Sequence, residues 1–264
     1  MIETDVPFLR FFLFAGGLLF FLAFELVNPY RPSSVSKVTR WLNNLGITLF
    51  NSMVLHLLFS GAIIVTAGYV ERHGIGVLNI VTLASWSEVL VTVALLDFML
   101  YIWHLLNHEI PFFWRFHRVH HSDLNMDAST ATRFHIGELA MSTVIKVSLI
   151  FFLGANALSI VVFESAVVLC AQFQHSSLQV PRWFESLYWL LFVPPSMHRI
   201  HHSVIIRERD TNYGTIFSVW DRILGTLIKD IHQDGIRIGL GAYQKPGKLN
   251  LHHLLVMPFM RPVK

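Results

Sequence analysis

Long apolar runs are the feature of this chain that most restricts its fold. A helix needs ~20 residues to cross the hydrocarbon layer of a bilayer, and three runs reach that length: Pro7–Val27, Leu45–Val70 and Trp86–Leu106. A fourth, Gly137–Phe173, is too long for one span and is interrupted by Gly-Ala-Asn at residues 154–156. This interruption predicts a hairpin of two legs. We therefore expect an all-α, multi-pass integral membrane protein with five spans.

Composition agrees with a membrane location. Hydrophobic residues make up 53% of the 264 residues and charged residues 14%, whereas a soluble domain is about 25% charged. The first run lacks a basic start and a small-residue cleavage site, so we expect it to remain as an anchor. The single cysteine, Cys170, excludes an intrachain disulfide and a thiolate metal site. We expect one domain over residues 1–264 and no nucleic-acid partner, since the basic residues do not form an aromatic-basic groove.

Basic residues predict the orientation of the spans, because short loops bearing Lys and Arg stay in the cytoplasm. Arg31, Lys37 and Arg40 follow the first span, whereas the loop after the second carries only Arg72. The segments after the third span and after Phe173 are also basic. The histidine clusters described next are therefore expected on the cytoplasmic side, in the inner membrane of a bacterium or the endoplasmic reticulum of a eukaryote.

Histidines recur in three clusters at helical spacing. Residues three or four apart share one face of a helix, so their imidazoles can converge on a metal. Eight ligands exceed the need of one ion, which predicts two ions of iron, copper, nickel or zinc rather than magnesium or calcium. The eight residues are His104, His108, His117, His120, His121, His198, His201 and His202.

Two acids near the first cluster are candidate catalytic residues. Asp97 lies on the same helical stripe as His104 and His108, where a buried carboxylate could accept the second ring N–H of a bound imidazole. Glu109 is the acid best placed to reach the second cluster or a substrate. Pro111 should end this helix, and we expect a turn over Phe112–Arg115 before the second cluster.

The predicted hairpin contains two ionisable residues in apolar legs. Lys146 and Glu164 each lie nine residues from Ala155, so antiparallel legs would bring them to one depth. Ionisable residues inside a bilayer are costly unless paired or hydrated. We expect these two to pair or to line a polar cavity; the alternative is that Lys146 extends to an interface.

The motifs DFMLYIWHLLNHE, FHRVHHSDLNMDASTATRFH, QHSSLQVPR and MHRIHHSVIIRERDTNYGTIFSVWDRILGT span residues 97–226. This histidine-box core resembles the fatty acid hydroxylase and sterol desaturase superfamily of membrane di-iron enzymes, and fits best with its bacterial sterol-desaturase-like branch, which is similar to alkylglycerol monooxygenase. The resemblance implies a transmembrane stem, a helical cytoplasmic cap over two iron ions, and dioxygen-dependent hydroxylation or desaturation of an unactivated lipid C–H bond. Reducing equivalents would come from a separate electron-donor protein.

The resemblance also assigns residues. It adds His175 as a ninth ligand, whereas Ala171 stands where some members have a further histidine, so that water, substrate, Gln172 or Gln174 would complete one metal. Four further positions are expected to act as ligands or to hydrogen-bond the imidazoles: His135, Asp210, Asn212 and Asp221.

Two alternatives to this function stay open. A zinc-dependent, non-oxidative enzyme on the same scaffold is one alternative, and a membrane metal transporter is another, although a transporter should hold its ligands near mid-bilayer. The substrate also stays open, because sterol, fatty acyl chain, carotenoid and ether lipid would all suit the site.

The glycine-rich tail after residue 229 is expected to form loops and a short interfacial end over Leu249–Phe259.

Overall fold

The computed structural model of the chain describes residues 2–59, 61–261 and 263. Every named element in these residues is helical, as predicted, and short 3-10 turns and isolated β-bridges connect the helices. The α-helices are α1 Ile2–Val27, α2 Lys37–Phe59, α3 Ala62–His73, α4 Ser85–Glu109, α5 Pro111–His121, α6 Ile136–Leu153, α7 Ala157–His175, α8 Arg182–Tyr188, α9 Pro195–His201, α10 Ile206–Arg209, α11 Val219–Leu224 and α12 Leu251–Val256.

Within the described residues, five segments are long and apolar enough to cross a membrane: Phe8–Val27, Lys37–Asn79, Ser85–Glu109, Ile136–Leu153 and Ala157–His175. Their number agrees with the sequence prediction. Many of their large apolar side chains are exposed, as a surface against lipid requires.

The second predicted span, Leu45–Val70, is not one continuous helix. The structure divides this region into α2 and α3, with Gly61 in the left-handed conformation at φ 72° immediately before α3. Glycine adopts that conformation without the steric penalty of a Cβ atom. Hydropathy does not register the break, because the residues on both sides are equally apolar.

The predicted hairpin is confirmed. Gly154 ends α6 in the left-handed conformation at φ 76°, and its N–H donates to the carbonyl of Ile150. The side chain of Asn156 then accepts a hydrogen bond from the N–H of Ser159 and caps α7. Both devices satisfy backbone groups that a helix end leaves open. The interruption at residues 154–156 therefore marks the turn.

The core lies between the long helices, with α7 packed against both α1 and α4. Its fully buried members include Ile150, Ile160, Ala67 and Val70. This packing positions the ends of α4 and α7, where the first-cluster histidines and His175 lie, under the short helices α5 and α9.

The C-terminal segment packs inward rather than forming the expected interfacial end. Leu254 and Met257 are fully buried beside Trp114 of α5, and burying such a side chain contributes about 1.5–3 kcal/mol. The Arg118 guanidinium donates to the carbonyls of Met257 and Arg261. These carbonyls attach the tail to the helix that carries the second cluster. Asn250, His252 and Phe259 remain exposed, the last at 74%.

Candidate metal centre

The first two histidines lie one turn apart near the end of α4. His104 and His108 share one face of that helix, which ends at Glu109. Pro111 is the first residue of α5, so the predicted termination of α4 before this proline is confirmed.

Two short helices position the other two clusters, with His202 directly after α9. His117, His120 and His121 form the last turn and a half of α5, and the third cluster begins at His198 in α9. Pro195 is the first residue of α9, where a missing N–H costs nothing. Pro111 starts α5 in the same way, as the first residue of the helix. Phe112–Arg115 are therefore helical, and the expected turn over these residues is wrong.

The clusters converge into two groups. In each group, one ligand atom from every residue lies within 4.8 Å of the others, so a single ion could contact all of them. Together the groups contain all nine histidines that were expected as ligands. The five-histidine group is His104, His108, His117, His121 and His201, and the four-histidine group is His120, His175, His198 and His202.

The four-histidine group presents nitrogen lone pairs to a common point. The Nδ1–H of His175 donates to the carbonyl of Ala171 at 2.7 Å, so its Nε2 carries a lone pair. That Nε2 lies 3.0 Å from Nε2 of His120 and 2.9 Å from Nε2 of His198. The Nε2 atoms of His198 and His202 are 3.1 Å apart. Lone pairs aimed at one another repel unless a cation or proton lies between them.

The five-histidine group leaves buried nitrogens without a hydrogen-bond partner among the described residues. They include Nε2 of His104, His108 and His201. Each of these three rings donates through Nδ1 instead, so a lone pair faces the centre. Buried polar atoms are rarely left unpaired in folded proteins. The donor set therefore fits divalent transition metals that prefer imidazole.

Five histidines of the two groups are held neutral. Burial, reinforced by adjacent imidazoles, lowers the pKa of His120, His121, His198, His201 and His202 well below the ordinary value of 6.5. Only the neutral imidazole has a lone pair for a metal. The environment therefore keeps these rings ready to bind an ion near neutral pH.

Acceptors behind the rings fix their orientation. The Nδ1–H of His104 donates to the carbonyl of Tyr213 at 2.8 Å, and that of His201 to the carbonyl of Thr211 at 2.7 Å. His117 donates to the carboxylate of Glu138 at 2.8 Å, and His108 faces Asp210 at 3.2 Å. Such partners set the tautomer of a metal ligand and raise its basicity.

A cavity of about 380 Å³ connects the histidines with the interior of the long helices. His104, His117, His120, His175 and His198 line one end. Leucine, isoleucine, valine and phenylalanine side chains of α4, α6 and α7 line its middle. An apolar chain that enters between the helices could reach the metal groups through this space.

The other end of the cavity is charged. Lys146 donates to Glu164 at 2.7 Å, so the predicted pairing is confirmed. Both residues also line the cavity, whose walls are mostly apolar rather than polar. Arg10 of α1 forms a second ion pair with Glu164 at 2.6 Å. This partner could not be predicted from the sequence, because nothing in the local pattern relates residue 10 to residue 164.

The fatty acid hydroxylase family model matches residues 89–226, which include every histidine in the two groups. The chain belongs to the fatty acid hydroxylase family. The resemblance inferred from the histidine motifs is thereby confirmed.

Curated relatives in this family are lipid hydroxylases and monooxygenases. An ornithine lipid hydroxylase of Rhizobium tropici is 26% identical over 90% of this chain and 72% of that protein. Cholesterol 25-hydroxylase of Rattus norvegicus is 31% identical over 53% of this chain and 47% of its own length. Alkylglycerol monooxygenase of Caenorhabditis elegans is 32% identical over 54% of this chain, but the match covers only 28% of that protein. No solved structure matches the chain significantly.

In this fatty acid hydroxylase family member, Asp97 does not have the position expected for an acceptor to a bound imidazole. Its carboxylate accepts hydrogen bonds from the backbone N–H groups of Ile216 and Phe217 at 3.0 and 3.1 Å, and from the indole of Trp220 at 2.8 Å. Asp97 therefore anchors the loop that follows Tyr213. This loop begins beside Tyr213, whose carbonyl accepts from His104.

Glu109 is also placed differently from the expectation. It is exposed at the end of α4 and is not among the residues that line the cavity. Although it follows His108 directly, consecutive helical residues point about 100° apart. The acid that does reach the second cluster is Glu138, which is buried in the first turn of α6.

The polar positions after the third cluster divide into two roles. Asp210 faces His108, as expected. Asn212 and Asp221 instead hold backbone: Asn212, at φ 56°, bonds Met197 and both backbone groups of Ile228, while Asp221 accepts from the N–H groups of Tyr213 and Gly214. Asp221 therefore supports the carbonyl that orients His104.

His135 caps a helix. Its Nδ1 accepts from the N–H of Gly137 at 3.0 Å and its Nε2 donates to the carbonyl of Leu255 at 3.1 Å. Both nitrogens are used, which leaves none for a metal. The expectation that it could be a ligand or bond an imidazole does not fit this placement.

Gln172 and Gln174 are buried beside the four-histidine group and line the cavity, as does Ala171. Gln172 donates to the carbonyl of Phe14 at 2.9 Å. Among the described residues, neither side-chain carbonyl oxygen has a hydrogen-bond partner. The Gln172 oxygen packs against Gly17 of α1, so the expected role of Gln172 as an extra metal ligand does not fit this placement.

A buried ionic network supports the loop after the second cluster. Arg40 of α2 forms ion pairs with Asp123 at 2.6 Å and Asp127 at 2.5 Å. Burial alone would raise the pKa of Asp123, but the Arg40 guanidinium outweighs burial and lowers it below its ordinary value. Nearby, Arg133 donates to the carbonyl of Val119, and burial lowers its pKa to about 10. From the sequence, Arg40 was expected only to mark the orientation of the spans, and its buried ion pairs have no local sequence signal.

Proposed function

We propose that this chain is a membrane-bound, dioxygen-dependent lipid hydroxylase with two iron ions in the histidine groups. The observation that carries the proposal is the pair of buried imidazole groups at one end of an apolar cavity. Five histidines would hold one ion and four the other. Bound iron would supply activation of dioxygen for insertion of oxygen into a C–H bond.

The chain's own residues would position and protect the reaction. Tyr213, Thr211 and Ala171 hold ring N–H groups through backbone carbonyls, and Asp210 and Glu138 do so through carboxylates. The fixed rings keep their lone pairs on the metals. The apolar cavity wall excludes water from the reactive end, which limits side reactions.

The cavity and the relatives support the same substrate class, which is a lipid with a long apolar portion. Relatives are named for ornithine lipid, cholesterol and alkylglycerol, which share long apolar portions. An apolar cavity between membrane helices suits such a portion. Hydroxylation is favoured over desaturation, because the three named relatives are hydroxylases or monooxygenases.

The metal end is proposed to face the cytoplasm. The end of α1, the start of α2 and the ends of α4 and α7 all lie at this end, and the basic residues Arg31, Lys37 and Arg40 belong to it. The positive-inside rule places such segments in the cytoplasm. A separate soluble or membrane-attached electron donor would reach the cap from that side.

The proposal is tested by lipid mass spectrometry on cells that express the protein or a His121→Ala variant. Wild type should produce lipids heavier by one oxygen atom, and labelled dioxygen should supply that atom. Loss of two hydrogens would indicate desaturation. Product formation without oxygen would favour the zinc alternative, for which the four-histidine group has the ligand number that zinc prefers.

A further inference from the structure

We propose that Arg10, Lys146 and Glu164, the charged triad, bind the carboxylate of an acyl-chain substrate at the cavity end opposite the metal groups. This inference rests on the proposed lipid hydroxylase function and names the chemical class of its substrate. It starts from two cations that share one carboxylate in a mostly apolar part of the cavity. The other carboxylate that lines the cavity, Glu138, is paired with His117.

Charge in the triad is unbalanced. Lys146 and Arg10 each contact one oxygen of Glu164, at 2.7 and 2.6 Å. Two cations face one carboxylate, so the triad carries a net charge of about +1 when all three groups are ionised. An uncompensated charge in an apolar, membrane-embedded space is costly. A bound anion would remove that cost.

The triad has donors left for such an anion. A lysine ammonium has three N–H donors and an arginine guanidinium five, whereas Glu164 occupies one contact of each in the described structure. The Glu164 side chain is only 7% exposed, but those of Lys146 and Arg10 are 27% and 40% exposed. Both cations can therefore meet a ligand while Glu164 holds them in place.

The distance to the metal groups suits an extended chain. Glu164 precedes His175 by eleven residues on α7, a rise of ~16 Å at ~1.5 Å per residue. The triad and the histidines line the same cavity, and apolar side chains lie between them. A chain held by its carboxylate at the triad would lie along this wall, with a carbon far from the carboxylate beside the metals.

A purely structural role for the triad makes a different prediction. The ion pairs link α1, α6 and α7, so they could serve only to hold these helices together. In that case, substitutions would change stability without distinguishing charged from uncharged ligands. Substitutions that lower or raise the net charge of the triad therefore distinguish a ligand-binding role from a purely structural one.

The experiment measures equilibrium binding of radiolabelled palmitate, its methyl ester and hexadecyl phosphate to the full-length protein in nanodiscs. Lys146→Met brings the net charge of the triad near zero and should weaken palmitate binding by about tenfold or more. Glu164→Gln raises the charge and should strengthen it. Binding of the ester should change little in either variant. Arg72→Met, an exposed cation on α3, is the control and should bind palmitate like wild type.

Melting temperatures accompany each measurement, and Lys146→Arg, which keeps the charge, should retain palmitate binding even if Lys146→Met does not fold. Equal losses for palmitate and ester, or weaker palmitate binding by Glu164→Gln, would overturn the inference. Tighter binding of hexadecyl phosphate than of palmitate would overturn the carboxylate assignment. Binding requires no turnover, so triad-dependent palmitate binding without oxygen-dependent product would refute the proposed function and leave this inference standing.

Discussion

The ring of His117 donates through Nδ1 to the buried carboxylate of Glu138 at 2.8 Å. This contact joins the second histidine cluster to the first turn of α6, and Glu138 also lines the cavity. It turns Nε2 of His117 toward the five-histidine group. A carboxylate in this position makes an imidazole more basic, and therefore a stronger electron-pair donor to a bound metal.

Glu138→Gln should therefore weaken metal binding. The amide preserves the size of the side chain but loses the charge that makes the imidazole more basic, and partners of this kind contribute about 10–100-fold to metal affinity. Ferrous-ion titration of the metal-free protein measures the change. Glu71→Gln, an exposed acid on α3, is the control. Equal affinities for Glu138→Gln and wild type would contradict the role assigned to Glu138.

Glu109→Gln should have little effect. Its side chain is exposed and does not line the cavity, and surface substitutions usually change stability by less than about 0.5 kcal/mol. Rates of product formation by this variant and wild type give the comparison. A loss as large as that of Glu138→Gln would restore Glu109 as a catalytic candidate.

Asp97→Asn should destabilise the fold without removing a metal ligand. Its carboxylate accepts three N–H donors, and an amide turns a donor toward one of them. An unsatisfied buried group costs about 1–3 kcal/mol. We expect a lower melting temperature with nearly full metal content. A variant that melts like wild type but lacks metal would show that Asp97 acts on the imidazoles directly.

The metal-free protein should lose stability as the pH falls. Burial lowers the pKa of His120, His121, His198, His201 and His202 in the folded state well below 6.5. The unfolded chain binds protons at these residues near pH ~6.5 and the folded chain does not. Each such residue therefore removes up to about 1.4 kcal/mol of stability per pH unit below that value.

Melting curves of metal-free protein between pH 7.5 and 5.5 test this dependence. The midpoint should fall toward the acid end, and a His120→Gln/His202→Gln double variant should show a shallower decline. The same midpoint in the double variant and wild type at every pH would mean that other groups control the acid sensitivity.

Eight of the nine candidate ligands could be predicted from the sequence because their clustering follows from local geometry. Spacings of three and four residues place His104 with His108, and the members of each later cluster, on one helical face. The assignment of His175 as a ninth candidate ligand came from the family resemblance alone. The division into groups of five and four depends on how α4, α5, α7 and α9 cross, which no spacing contains.

The supporting groups could not be predicted for a related reason. The acceptors for His104 and His201 are the carbonyls of Tyr213 and Thr211, and a backbone carbonyl has no sequence signature. Glu138 did have a signal, because an acid in the first helical turn after the second motif is unusual in an apolar leg. Asp97 and Asn212 illustrate the reverse error: polar residues inside a motif can serve the loop rather than the metal.

Metal content of protein purified without oxygen tests the central claim most directly. The two imidazole groups predict about two iron ions per chain, and His121→Ala and His202→Ala, one from each group, should each lower that number. About one ion in wild type, or stable zinc at both positions with turnover that needs no oxygen, would contradict a paired iron centre.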